Sequence, residues 1–333
     1  MKNKIFFLAA ASLCALPACQ KASPAHTGGM SPEKEWANVR IELSNSLLTK
    51  ATSAGEDNRI NTAQVLVFDA ESGICEAYGS ATLNGSSGAV DIPRVRTGKA
   101  FACYAVANYP ASLQQVSTLA ELQALETDLK DYTPQSIPMA GGATAVFSQG
   151  EKSLDITLRR AASKIEVRKV TGAFTSSYYQ QANCRLNALY LYKAPGKYTL
   201  GLEPPATQCY YHNGAYSGTD AKTLGTAAAL VGDTSLKGTL TGNASYNTPH
   251  YFWCCPDTAE ETYLTLEVSL DGKTNYYGIP LGTLDANCRY CFTDIRIYGP
   301  GADTPPGIVE RVAIGATLSV SDWSTGYSQE YEF

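Results

Sequence analysis

Apolar residues fall on every second position near both ends of this chain. Val39, Ile41 and Leu43 alternate with polar residues near the start, and Val312, Ile314, Ala316, Leu318 and Val320 alternate with small or polar ones near the end. A period of two puts successive side chains on opposite faces of an extended strand, so such a segment buries its apolar face only by joining a sheet. Runs that read the same way fill the space between them. In the first half they are 36–44, 63–69, 74–82, 88–95 and 99–107; in the second, 164–170, 184–192, 250–255, 262–270 and 287–298. Gly73, Gly79, Gly85, Gly88 and Gly98 punctuate the first set as turn residues. With 21 tyrosines against 3 methionines the composition also favours β-structure. The expected fold is therefore mostly β.

At 333 residues the chain is long enough for two domains. "SLDITLRRAASKIEVRKV" (Ser153 to Val170) predicts two alternating strands joined near Arg159-Arg160, and the domain boundary is placed there: 36–159 and 160–333. One short helix is expected in the N-terminal domain. Thr118-Leu119-Ala120-Glu121 is a capping box, and Leu119, Leu122, and Leu125 or Leu129 follow at helical spacing, giving one apolar face to lay on a sheet. The Tyr/Gly/Thr-rich stretch 204–248 reads as long surface loops. Its tyrosines either pack beneath those loops or form a glycan-stacking platform.

Residues 1–19 have the make-up of a lipoprotein signal peptide. Lys2 and Lys4 precede a short apolar core, Ile5 to Leu16, too short for a permanent span, and Leu16-Pro17-Ala18-Cys19 resembles a lipobox with Cys19 as the acylated residue. The alternative is an ordinary signal peptide cut nearby. Two or more acyl chains would hold the protein stably on a membrane through the polar tether 20–35. Eight cysteines remain beyond Cys14 and Cys19, in a compartment where disulfides are permissible. Cys288 and Cys291 form C-x-x-C within a strand-like run, where residues three apart face opposite sides, and adjacent Cys254 and Cys255 diverge likewise. Buried apolar or disulfide roles are expected, with no metal and no cofactor.

The sequence offers no catalytic constellation. It has three histidines, and no G-x-S-x-G, H-E-x-x-H or phosphate-cradling glycine loop. A net charge of −5, from 26 basic and 31 acidic residues without a basic block, argues against nucleic acid as a partner. The chain is therefore read as a non-enzyme.

Two features point to strands that move. Lys50 and Arg59 lie in the polar stretch 47–59, immediately after the first strand, where a trypsin-like cut would release it. The last alternating strand follows "GPGADTPPG", whose prolines and glycines are expected to prevent continuous pairing with the strand before it. Such an isolated strand must add to a sheet, its own or a neighbour's.

Together these pieces resemble the fimbrillin family, the FimA-type pilin subunits of type V pili. The resemblance is carried by "TAQVLVFDAESG" (62–73), "YAVAN" (104–108), "STLAELQALETDL" (117–129) and "RRAASKIEV" (159–167) in the first part of the chain. It continues in "NYYGIPLG" (275–282), "NCRYCFTDIRIYGPG" (287–301) and "SVSDW" (319–323). It implies two tandem β-sandwich-like domains and export as an outer-membrane lipoprotein through Cys19. An Arg- or Lys-specific protease would then cut in loop 47–59, at Lys50 before Ala51 or at Arg59. Removal of the first strand (Val39, Ile41, Leu43) would open a groove for the terminal segment 309–333 of another subunit (Val312, Ile314, Ala316, Leu318, Val320). On that reading the terminal strand lies outside its own subunit's core. The implied partners are other pilin subunits head to tail, the protease, the membrane before processing, and a host or bacterial surface ligand. The rival is a monomeric cell-surface glycan-binding lipoprotein; a pilus tip or anchor subunit is the other alternative.

Overall fold

The structure, a computed structural model, describes residues 35–45, 58–213, 221–306, 314–322 and 328–332. The strands of the first half are Trp36–Asn45 (β1), Ile60–Asp69 (β2), Cys75–Gly85 (β3), Ser87–Arg96 (β4), Ala100–Ala107 (β5), Glu126–Asp128 (β6), Met139–Val146 (β7) and Gly150–Arg160 (β8). Seven of them follow one path, β3-β2-β5-β7-β8-β1-β4. β7 and β8 touch only through Met139–Arg160 and Ala140–Arg159, and there the path folds over on itself. The inward side chains of β2 and β5 (Val65, Val67, Phe101, Cys103) then share one core with those of β1, β4 and β8 (Ile41, Leu43, Val90, Ile92, Ile156, Leu158). This is a β-sandwich.

β2 is buried on both faces, which is why Val65-Leu66-Val67-Phe68 is a continuous apolar run. Val65 and Val67 enter the sandwich core, while Leu66 and Phe68 meet Leu113, Val116, Leu122 and Leu200 on the other side. Leu122 comes from helix Leu119–Ala124 (α1), capped by Thr118, whose side chain accepts from the Glu121 amide. The helix lies on the sheet as expected but is shorter than the leucine spacing suggested. Leu125 already has extended backbone, and Glu126–Asp128 pairs as a strand instead. Leu129 buries in the second core. Tertiary pairing outweighs helix propensity here.

The second half opens with Ser163–Val167 (β9), Val170–Gly172 (β10), helix Ser177–Gln181 (α2) and Cys184–Tyr192 (β11). Short strands follow: Ala194–Pro195 (β12), Lys197–Thr199 (β13), Tyr210–His212 (β14), Ala221–Thr223 (β15), Gly232–Asp233 (β16), Gly238–Thr239 (β17) and Ser245–Tyr246 (β18). Longer ones complete it: His250–Cys254 (β19), Tyr263–Leu270 (β20), Lys273–Pro280 (β21), Cys288–Ile297 (β22), Ile314–Asp322 (β23) and Ser328–Glu332 (β24). One sheet centres on β22, with β9 and β10 parallel along one side and β23 then β24 antiparallel on the other. The other sheet runs through β11, β20 and β21, with β16 and β17 against β11. Their facing side chains, among them Ile165, Phe292, Ile295, Leu189, Leu266 and Ile279, form the second core.

The turn between β8 and β9 falls at 161–162, two residues later than Arg159-Arg160 suggested. Three further expectations are corrected. Stretch 204–248 is not simply surface loops: Cys209, Tyr211, Leu230, Val231 and Leu240 join the core, and the Tyr211 hydroxyl donates to Asp128 at 2.7 Å. Gly79 is no turn residue; it lies within β3, where a Cβ would meet Val90 at 3.0 Å. The segment after "GPGADTPPG" does pair with the strand before it, since β23 lies antiparallel along β22 from Cys288–Asp322 to Ile297–Ile314. An excursion of sixteen residues, 298–313, is long enough to bring the chain back, so prolines in it do not block the ladder.

Candidate site: the first-strand groove and the terminal strand

β1 is a central strand. It pairs antiparallel with β4 from Trp36–Arg96 to Ser44–Ser87, and parallel with β8 from Ala37–Gly150 to Asn45–Leu158. Ala37, Val39, Ile41, Leu43 and Asn45 point inward and are at most 2% exposed. Between them Arg40 faces out, directly opposite Asp91, and its guanidinium donates to Asp91 and Glu42. Those two carboxylates raise the Arg40 pKa above its ordinary value, Glu42 by the larger hydrogen bond. If β1 were absent, β4 and β8 would be left with unpaired backbone facing a slot floored by the first core.

β1 is also the first of the described strands, joined to the later ones by a single connection. All other described strands begin at or after Ile60, so a cut between Asn45 and Ile60 would sever β1 from every one of them. Of the residues assigned to that cut, Lys50 and Ala51 lie outside the described residues; Arg59 lies within them, its side chain exposed. Cys19 and Val312 also lie outside the described residues.

The terminal strand reproduces the alternation and is built into its own domain. Ile314 (8% exposed), Ala316 and Leu318 (2%) enter the second core, and Val320 packs against it. The expectation that this strand lies outside its subunit's core is therefore corrected. β22 offers its open edge, and the apolar face of β23 has Phe292, Ile295 and Ile297 on the same core. β24 covers the outer edge of β23 from Thr317–Glu332 to Ser321–Ser328.

Nothing else described resembles a reaction centre. No group of three or more His, Cys, Asp or Glu converges to hold a metal among the described residues. Cys103, Cys184, Cys209, Cys254, Cys255 and Cys291 are buried free thiols, and burial pushes the Cys103 thiol up to about 12, far from a reactive thiolate. Glu166 is the most enclosed carboxylate in an ion cluster. Arg168 and Arg289 both bond it, and against the opposing pull of burial they hold it below its ordinary pKa. Every oxygen of that group is committed to structure. His250 hydrogen-bonds Tyr246 and stacks on Phe252, with burial depressing its pKa.

The sequence reading missed a set of residues around the start of β2. Asn45, Asn58, Asn108 and Arg160 converge there, and Arg160 is 1% exposed. A signal was present: Ile156, Leu158 and Arg160 keep the same alternation, which places the guanidinium on the inward face.

Comparison with known proteins agrees with the resemblance read from the sequence. A family model described as the major fimbrial subunit protein (FimA) matches residues 37–178. No curated protein sequence matches the chain. Among solved structures, a fimbrilin (FimA) from Porphyromonas gingivalis superposes with a TM-score of 0.65 at 14% identity, over 87% of this chain and 98% of that one. A candidate cell adhesion protein from Bacteroides eggerthii gives 0.64 at 19% identity, over 89% and 98%. The tip fimbrial protein Mfa3 from Porphyromonas gingivalis, with its C-terminus truncated, gives 0.51 at 14%, over 86% and 100%. The mostly β fold of tandem sandwiches is thus the fold of these proteins.

Proposed function

We propose that the chain is a pilus (fimbria) subunit, exported as an outer-membrane lipoprotein through Cys19, cut in loop 47–59 and polymerised by donor-strand exchange. The family model and the fold support the fimbrial reading. The single observation that carries the mechanism is the placement of β1: held between two strands of its sheet, first of the described strands, and joined to the later ones by one connection. One cut there turns a complete sandwich into one that lacks a strand. The donor is the terminal segment 309–333 of a second copy, whose Ile314, Ala316 and Leu318 would take the places of Val39, Ile41 and Leu43. Ladder hydrogen bonds would supply affinity and the alternate side-chain pockets specificity. Head-to-tail donation does not close on itself, so it builds a filament. Because β23 is docked in its own sheet, donation begins with its release from β22. The mature form resides on the cell surface in fimbriae, where it supports adhesion.

One observation favours the monomeric glycan-binding lipoprotein instead, namely that β23 already completes its own sandwich. Mass spectrometry of the N-terminus of surface protein, with a laddering assay on the processed form, separates the two. The pilus reading expects an N-terminus within or just after loop 47–59 and a heat-sensitive ladder. A mature chain that starts at Cys19 and never ladders would overturn it in favour of the rival. Cys19→Ala should abolish labelling by a palmitate analogue; equal labelling of both proteins would remove the anchor from the scheme.

A further inference from the structure

The chain around the Arg59–Ile60 peptide bond is held by side chains from the ends of β1 and β8 and from just past β5. Asn45, at the end of β1, donates from Nδ2 to the Asn58 carbonyl at 3.1 Å. Arg160, at the end of β8, donates from its guanidinium to Asn58 Oδ1 at 2.5 Å, and its own amide and another guanidinium nitrogen donate to Asn287 Oδ1. Asn108, just past β5, donates from Nδ2 to the Arg59 carbonyl at 2.7 Å and to the Ile137 carbonyl at 3.0 Å. Its Oδ1 accepts from the Asn61 amide at 2.8 Å and the Thr62 amide at 3.4 Å. Asn108 has φ of 56°, a left-handed conformation that asparagine tolerates better than most residues and that here accompanies its contacts on both sides of the Arg59–Ile60 bond. Ile60 is fully buried and already pairs with Gly85.

A serine or cysteine endoprotease takes its substrate as an extended strand, bonding main-chain groups on both sides of the cut and accepting the next side chain in a pocket. At Arg59 only the basic side chain is available. The carbonyl to be attacked is held by Asn108, the following amides are occupied, and the following side chain is in the core. Cleavage there requires β2 to open locally first, and its rate then follows the population of that opened form.

We propose that Asn58, Asn108 and Arg160 form a guard that determines where the precursor is cut, making Arg59–Ile60 refractory while the chain is folded. Asn58 and Arg59 then remain on the mature subunit. The proposal rests on the processing reading above, which it sharpens: Lys50 and Arg59 are the two Lys/Arg residues between β1 and β2, so sealing Arg59 leaves Lys50. Retaining Asn58 also matters after the cut. Loss of Asn45 with β1 leaves the Asn58 carbonyl without that donor, whereas Arg160 keeps its Asn58 partner. A cut after Arg59 would instead remove Asn58 and with it one acceptor of the buried guanidinium.

The test is limited digestion of the folded full-length chain by trypsin and, separately, by an Arg-specific endoprotease. N-termini are read by mass spectrometry at successive times. In the wild type no fragment beginning at Ile60 is expected, while urea-unfolded protein is cut after Arg59. Asn108→Ala, which removes four side-chain hydrogen bonds, and Asn58→Ala, which removes the one to Arg160, should each speed the appearance of the Ile60 fragment roughly tenfold or more. Thermal melts identify any variant that has lost its fold, and the other then carries the comparison. An Ile60 fragment from folded wild type at the rate of the variants would overturn the guard. So would variants that fold and stay as resistant as wild type. A wild type that is cut nowhere between Asn45 and Ile60, beside variants that are cut after Arg59, would uphold the guard while sinking the processing reading.

Discussion

β1 and β23 carry nearly interchangeable alternation, yet the molecule holds them differently. β1 lies between two neighbours along its whole length, and its inward residues are at most 2% exposed. β23 has one full-length neighbour in β22 and a shorter cover in β24, and Ile314 and Ala316 remain 8% exposed. The same pattern is thus locked in place at one end of the chain and laid near an edge at the other. Pattern decides which face is buried; position in the sheet decides how much must break before the strand can leave. A locked strand leaves only if its connection is cut and its ladders on both sides open, whereas a near-edge strand is released by breaking one main ladder.

The sharpest way to break this comparison is a charge in the locked strand. Ile41→Asp places a carboxylate in a dry core and should cost several kcal/mol, comparable with a domain's total stability of about 5–15 kcal/mol. Urea unfolding should show the first sandwich lost; a midpoint near wild type would mean β1 is not needed for that core. Deleting 309–333 comes next. It uncovers Phe292, Ile295 and Ile297 and forfeits burial of Ile314 and Leu318, about 1.5–3 kcal/mol for each large side chain. The protein should remain folded with its melting temperature lowered by several degrees, and an unchanged melt would show that β23 contributes nothing to its own sandwich. The third change tests the sheet that holds β23. Glu166→Gln removes the anion between Arg168 and Arg289 and should cost about 1–3 kcal/mol at neutral pH. Folding lowers the Glu166 pKa, so its contribution is present above the ordinary value of 4.5 and fades as pH falls through the lower folded value. Wild type should therefore lose stability on the acid side of 4.5 along a slope that the variant lacks; parallel pH profiles would refute this role. The smallest effect belongs to Arg40→Ala, an exposed pair across β1 and β4. Its melting shift should be barely measurable in low salt and absent in high salt, and a large salt-insensitive loss would contradict an exposed pairing.

Most of the sandwich strands were legible because a half-buried strand writes its two faces into the sequence. The first half's runs lie within three residues of β1 to β5, and 184–192 coincides with β11. What escaped depended on distant partners. Glu126–Asp128 becomes a strand because Lys197–Thr199 lies beside it, and no local signal in "ETD" reports that. Lys273–Pro280 was legible as a family motif but not as a strand; it forms β21 through a tight return from β20 at Asp271–Gly272, both with positive φ. The buried face of β1 was readable from the alternation of Val39, Ile41 and Leu43. The seal at Arg59 was not, since it joins residues from positions 45, 58, 108, 160 and 287 that meet only in space.

One property of the first sandwich bears on what its groove would accept. β8 runs alongside β1 in the same direction and β4 in the opposite one, so β4 and β8 point opposite ways across the slot between them. A strand laid into that slot head first meets one parallel and one antiparallel rail, and the same strand laid in tail first meets one of each again. The number of parallel and antiparallel pairings is therefore the same for either heading. Which way a guest lies would then be set by the spacing of its apolar side chains against the sockets beneath.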